Sequence, residues 1–123
     1  MALTPSHVYD QPPPAFDVGQ VETPAYVVDL GLLRSNLEKL AWVQREAGCK
    51  VLLALKAFSM FSTFGEVRKY LSGCCTSGLH EALLAHEEMG GEVHVYAPAF
   101  KEAEMRQIIP IAHHISFNSP TQW

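Results

Sequence analysis

Residues 51–58 read VLLALKAF, an apolar run with no polar alternation. A run of this kind suits a strand buried on both faces, and such strands belong to parallel sheets covered by helices. The flanking segments repeat the theme. Upstream, Tyr26-Val27-Val28 is a short β-type run after Thr23-Pro24, and Asp29 stands where it can cap a helix. Leu33, Leu37, Leu40, Ala41 and Ala47 then form one apolar stripe at helical spacing, with Arg34, Glu38, Lys39, Arg45 and Glu46 outside it. Gly48 ends that helix, at a position that often needs a left-handed residue.

Downstream, a weaker helix is expected from about Thr63 to Leu71, then a strand Cys74-Cys75-Thr76 opened by Gly73. Leu79, Ala82, Leu83 and His86 mark a further helix stopped by Gly90-Gly91. Val93 to Tyr96 reads as a strand ended by Pro98, Lys101 to Ile109 as a helix closed by Pro110, and Ile115-Ser116-Phe117 as a last strand. Strands and helices thus alternate with short connections and no hairpin-type turn dipeptide. That order predicts an α/β fold with a parallel sheet, either doubly wound or part of a barrel. Residues 1–22, with Pro5 and Pro12-Pro13-Pro14, read as an extended, partly disordered leader. Residues 23–123 form the folded part.

Composition excludes several partners. The 123 residues are 48% hydrophobic and 18% charged, with a net charge of −4. There is no basic face for nucleic acid or anionic lipid. No apolar run reaches membrane-spanning length, so a cytoplasmic location is expected. Cys49, Cys74 and Cys75 are too few and too oddly spaced for a disulfide framework.

Lys56 stands near the C-terminal end of the most apolar strand, the end where parallel α/β sheets place their ligands. Partial burial of a lysine there lowers its pKa and frees the neutral amine for attack on an aldehyde. The plainer role is a side chain that snorkels to water. Thr76, Ser77 and Glu81 follow a strand and open a helix, where backbone N–H groups and hydroxyls can face a cofactor. Glu81 also suits simple pairing with the helix N-terminus. Asn118 and Ser119 end the last strand, placed to meet a ligand or to cap a following helix. His80 and His86 lie roughly 240° apart around a helix, so HEALLAH is not a zinc signature. His113 and His114 point to opposite faces of their strand. Structural roles are expected for the histidines, with no metal. Glycine-rich phosphate loops and the GxSxG elbow are both missing.

The stretch Thr23-Pro24-Ala25-Tyr26-Val27-Val28-Asp29, a helix, then Ala54-Leu55-Lys56-Ala57-Phe58 resembles the start of the fold-type III pyridoxal phosphate enzymes, the alanine racemase and ornithine decarboxylase superfamily. Thr76-Ser77-Gly78-Leu79-His80-Glu81-Ala82 resembles the same family, and the nearest branch is that of the carboxynorspermidine decarboxylases. The resemblance covers about residues 23–123. It implies the N-terminal half of a (β/α)8 barrel, with pyridoxal 5'-phosphate held as a Schiff base on Lys56 and contacted by Thr76, Ser77, Glu81 and Asn118. It implies decarboxylation of a carboxylated polyamine, such as carboxynorspermidine or carboxyspermidine, in a full-length homodimer. Ornithine-type relatives carry an aspartate where this chain has Cys75, which disfavours direct ornithine or lysine decarboxylation. The phosphate cradle, the ring-nitrogen partner and the second-subunit cysteine of that family fall beyond residue 123. A complete barrel needs about 250 residues, so this chain is expected to be a truncated piece, inactive alone. A non-catalytic pyridoxal phosphate-binding protein for cofactor homeostasis, or another fold-type III decarboxylase, is the alternative.

Overall fold

The structure, a computed structural model, describes residues 16–123. Most of the expected leader, residues 1–15, lies outside the described residues. Within the remainder of it, Val18–Gln20 form a 3-10 turn capped by Asp17 rather than an extended segment.

Helix α1 spans Leu30–Ala47. The Asp29 carboxylate accepts the Leu32 N–H at 2.9 Å, so the expected N-cap is made. Gly48 closes the helix at φ 62°. Strands β1 (Leu52–Ala54), β2 (Gly73–Thr76), β3 (Glu92–Tyr96) and β4 (His114–Ser116) follow, separated by α2 (Phe64–Val67), α3 (Leu79–Leu84) and α4 (Glu102–Ile108). A 3-10 turn, Phe61–Thr63, leads into α2, and a π-helical turn, Ala85–Met89, extends α3.

All strand pairs are parallel, and the sheet order is β1-β2-β3-β4. A doubly wound sheet doubles back on itself in strand order. Here the order never reverses. Right-handed crossovers between neighbours then place every helix on one face, which is the winding of an α/β barrel. The question the sequence left open is answered in favour of the barrel type.

The helix-side face is the core. Leu37 of α1, Phe64 and Val67 of α2, Ala82 of α3, Ala85 and Met89 of the π turn and Ile108 of α4 pack on Leu55, Cys74, Val93 and Val95. Phe64 is 0% exposed; burying a side chain of that size stabilises by about 1.5–3 kcal/mol. Among the described residues, the other face bears no helix.

Three expectations are corrected. Tyr26-Val27-Val28 is not a strand: no described strand pairs with it, and Tyr26 is 95% exposed. β propensity alone does not make a strand without a ladder partner. The strand expected over 51–58 is only Leu52–Ala54, because the chain turns at once. The Ala57 and Phe58 N–H groups both donate to the Ala54 carbonyl, at 3.0 and 3.2 Å. The run stays apolar because Leu55 in that turn still enters the core. The weaker helix contracts to Phe64–Val67, continued to Leu71 only by single turn bonds.

Gly91 makes a tight entry to β3. Its φ is 75°, and a Cβ there would meet the Ser72 carbonyl oxygen at 2.6 Å. Gly48 shares the positive φ, but a Cβ there meets nothing within 4 Å. Gly48→Ala should therefore cost only the left-handed penalty, about 1–2 kcal/mol, whereas Gly91→Ala should lower the urea midpoint by clearly more.

Glu66 joins α1 to α2. Its carboxylate accepts from Arg34 Nε at 2.8 Å and from Lys69 Nζ at 2.6 Å. The Arg34 hydrogen bond, then that of Lys69, lowers its pKa from 4.5 to about 2. A depressed carboxylate pKa adds stability that is complete above the unfolded value and is lost as pH falls through the folded one. Glu66→Gln should thus lower the melting temperature modestly at neutral pH. The gap to the wild type should close between pH 4.5 and about 2, as read from thermal melts across that range.

Candidate functional site

The C-terminal ends of the four strands form a rim that gathers the expected site residues. Lys56 lies in the turn directly after β1 and is exposed, in contrast to the partly buried lysine expected from the apolar run. The turn tucks Leu55 into the core at 2% exposure and leaves its neighbour facing solvent. Among the described residues, the ion pairs formed by lysine involve Lys50, Lys69 and Lys101, not Lys56. Beside the turn, Tyr26, Val27 and Val28 face Ala57, Phe58, Ser59 and Met60 across a cleft of about 480 Å³. The TPAYVVD segment and the lysine turn thus meet in space although they pair no backbone.

Thr76 and Ser77 end β2 with opposite fates. Thr76 is 1% exposed, and its hydroxyl donates to the His94 carbonyl at 3.0 Å. Its register partner is Val95, a core residue, so the side chain faces the helix layer. Ser77 is exposed at the rim. Its backbone N–H donates to Glu81 Oε2 at 2.6 Å. Glu81 therefore reaches back past the N-cap Gly78 and satisfies a backbone donor just before α3. Ser77 and Glu81, with Gly78, Leu79, His80 and Glu104, line a shallow cleft of about 290 Å³.

Asn118 follows β4. Its Oδ1 accepts from the Tyr96 hydroxyl at 3.4 Å, and its N–H donates to Gln122 Oε1 at 2.8 Å. Gln122 in turn donates from Nε2 to the Pro98 carbonyl at 2.6 Å. These bonds tie the loop after β4 to the loop after β3. A further cleft, about 730 Å³, lies elsewhere, between α4 and β4, lined by apolar Phe100, Met105, Ile109, Ile115, Phe117 and Trp123. No candidate site residue lines it.

The helix-free face carries chemistry that sequence reasoning missed. Ala54, Cys75, His94 and His114 form one row across the sheet by register. Cys75 and His114 are exposed, while the adjoining Cys74 and Val93 are fully buried on the opposite face. Burial pushes the Cys74 thiol up to about 11. Glu92, two residues before His94, accepts from His94 Nε2 at 3.0 Å when that nitrogen is protonated, and also pairs with Lys50. The Lys50 hydrogen bond, then that of His94, holds the Glu92 carboxyl near 2. His113 precedes β4 and is engaged differently from His114: His113 Nδ1 accepts the Val93 N–H at 3.1 Å, whereas His114 stacks on His94 with ring centroids 4.3 Å apart. The one-dimensional signal was the alternation Glu92-x-His94.

The site residues can be tested for structure first. Thr76→Val keeps shape and removes the buried hydroxyl, so urea unfolding should show a loss of about 1 kcal/mol without a change in fold by circular dichroism.

No protein-family model matches the chain. It is similar to a carboxynorspermidine/carboxyspermidine decarboxylase from Campylobacter jejuni, 48% identical over 104 residues, 85% of this chain and 27% of the relative. It is also similar to a carboxyaminopropylagmatine decarboxylase from a Synechocystis strain, 43% identical over 106 residues, 86% of this chain and 27% of that protein. Among solved structures it matches the crystal structure of carboxynorspermidine decarboxylase complexed with norspermidine from Campylobacter jejuni, with a TM-score of 0.81 and 49% identity, covering 83% of this chain and 28% of that one. The chain thus spans about a quarter of the length of these relatives. Among the described residues, no helix is long and apolar enough to cross a membrane. Over the matched residues, in sequence and in the winding of its parallel sheet, the chain is homologous to part of the carboxynorspermidine decarboxylases.

Proposed function

We propose that the chain is the lysine-bearing part of a pyridoxal phosphate-dependent carboxy-lyase of polyamine biosynthesis, and that Lys56 is the cofactor's attachment point. The observation that carries this reading is the exposed amine of Lys56 at the C-terminal rim of a singly wound parallel sheet. The named activities of the relatives support the reaction class. Two relatives with different named substrates match the chain nearly equally well, so the proposed substrate is a class, the carboxylated polyamines, of which carboxynorspermidine and carboxyspermidine are the first to try.

The rim residues fit such a cofactor. Lys56 reaches solvent beside a cleft, and a lysine amine must shed its proton before it can attack an aldehyde. Ser77 is exposed at the adjoining strand end and offers its hydroxyl there. Asn118, already oriented by Tyr96 and Gln122, offers its side-chain amide to a polar group above the sheet. Glu81 holds the Ser77 backbone in place, and Thr76 braces β2 against β3 from below. When bound, the cofactor supplies an electron-accepting ring for the pair left by departing carbon dioxide. The helix layer shields the sheet from water on one side only. The other side, the rest of the cofactor cradle and a homodimer partner belong, in this reading, to the whole enzyme in the cytoplasm.

The reading stands on a simple test. Mixing the chain with pyridoxal phosphate and reducing with borohydride should fix one cofactor mass on Lys56, with a visible absorbance band before reduction. Lys56→Ala should abolish both, and Lys50→Ala should leave both intact. Labelling spread evenly over the lysines, or unchanged in Lys56→Ala, would overturn it.

A further inference from the structure

We infer that Glu92, His94 and His114 form a binding site for a divalent transition cation of the zinc class, on the helix-free face of the sheet and apart from the Lys56 rim. Their ligating atoms all lie within 4.8 Å of one another. Glu92 Oε2 and His94 Nε2 are 3.0 Å apart, and the His94 and His114 rings stack at 4.3 Å with a 38° tilt. Bonds of about 2.0–2.1 Å to a tetrahedral zinc place its ligand atoms roughly 3.4 Å from each other. Small side-chain rotations close that difference.

The positions are rigid because each is set by the sheet. His94 and His114 are register partners on neighbouring parallel strands. Glu92 and His94 are two apart on one strand, so they project to the same side. Lys50 pairs with Glu92 Oε1, which leaves Oε2 toward the histidines. A hydrogen bond to the other oxygen of a ligating carboxylate is the usual way such a ligand is oriented. Two imidazoles and a carboxylate with an open fourth position suit zinc, nickel or copper rather than magnesium or calcium, which prefer all-oxygen shells. His113 serves a different purpose: its Nδ1 is engaged by the Val93 backbone. His80 and His86 sit exposed on or after α3, away from the cluster.

This site does not depend on what Lys56 binds. Titrating the purified chain with zinc chloride, and separately with nickel chloride, by calorimetry should show one saturable site per chain. His94→Gln, His114→Gln and Glu92→Gln should each weaken zinc by more than about tenfold, while His80→Gln and His86→Gln should leave it unchanged. His114 is exposed at a strand start, so His114→Gln keeps the fold, checked by circular dichroism, and decides the matter even if His94→Gln is unstable. No saturable binding, or binding that survives His114→Gln or Glu92→Gln, overturns the assignment.

Discussion

Everything else in this molecule follows from one constraint: four parallel strands paired in chain order. With right-handed crossovers, that order sends every helix to one face. One side of the sheet is then sealed by Leu37, Phe64, Val67, Met89 and Ile108, and no helix among the described residues covers the other. The two adjoining cysteines display the result. Cys74 lies in the apolar layer, where burial raises its thiol pKa, and Cys75 is exposed on the far side. Successive residues of one strand thus experience unlike media. Chemistry has room only on the bare face and along the rim, and polar side chains collect there.

Much of this was legible in the sequence. Helix α1 was readable at both ends because Asp29 and Gly48 act locally: one accepts an N–H three residues away, the other takes a left-handed backbone at its own position. The strand cores were readable because their side chains enter one apolar layer. Tyr26-Val27-Val28 and the far half of VLLALKAF misled for a shared reason. A strand is a relation between two segments, and apolar or β-branched composition describes only one of them. Leu55 shows it most clearly. It is as deeply buried as a strand residue, yet it sits in a turn.

The candidate site was legible in the same uneven way. Lys56, Ser77 and Asn118 were placed at strand ends by the alternation of elements, and there they lie. Thr76 was grouped with Ser77 because the two are adjacent, but the pleat sends its hydroxyl to the helix side and into a bond with the His94 carbonyl. The Glu92, His94 and His114 cluster escaped notice because 20 residues separate its histidines, and only the register His94↔His114 brings them together. Motif spacing captures ligands that share a helix or a loop. It has no access to ligands joined across a ladder.

The bare face is layered by how firmly each layer is held. His94 and His114 ride on paired strands: ladder bonds hold β3 on both sides, and β4 is held along its edge to β3. Groups on such elements keep a fixed mutual geometry, which a small cation with short directional bonds requires. Lys56, Ser77 and Asn118 ride on turns just beyond the strands, secured by single bonds such as Tyr96 to Asn118 and Gln122 to Pro98. Loops of that kind adjust more readily than the scaffold beneath them. A residue that must bond a cofactor covalently, release it to an incoming amine and bond it again needs that latitude. If Lys56 is that residue, as proposed, the turn that shortened β1 to three residues supplies the latitude while Leu55, one residue earlier, anchors the chain in the core.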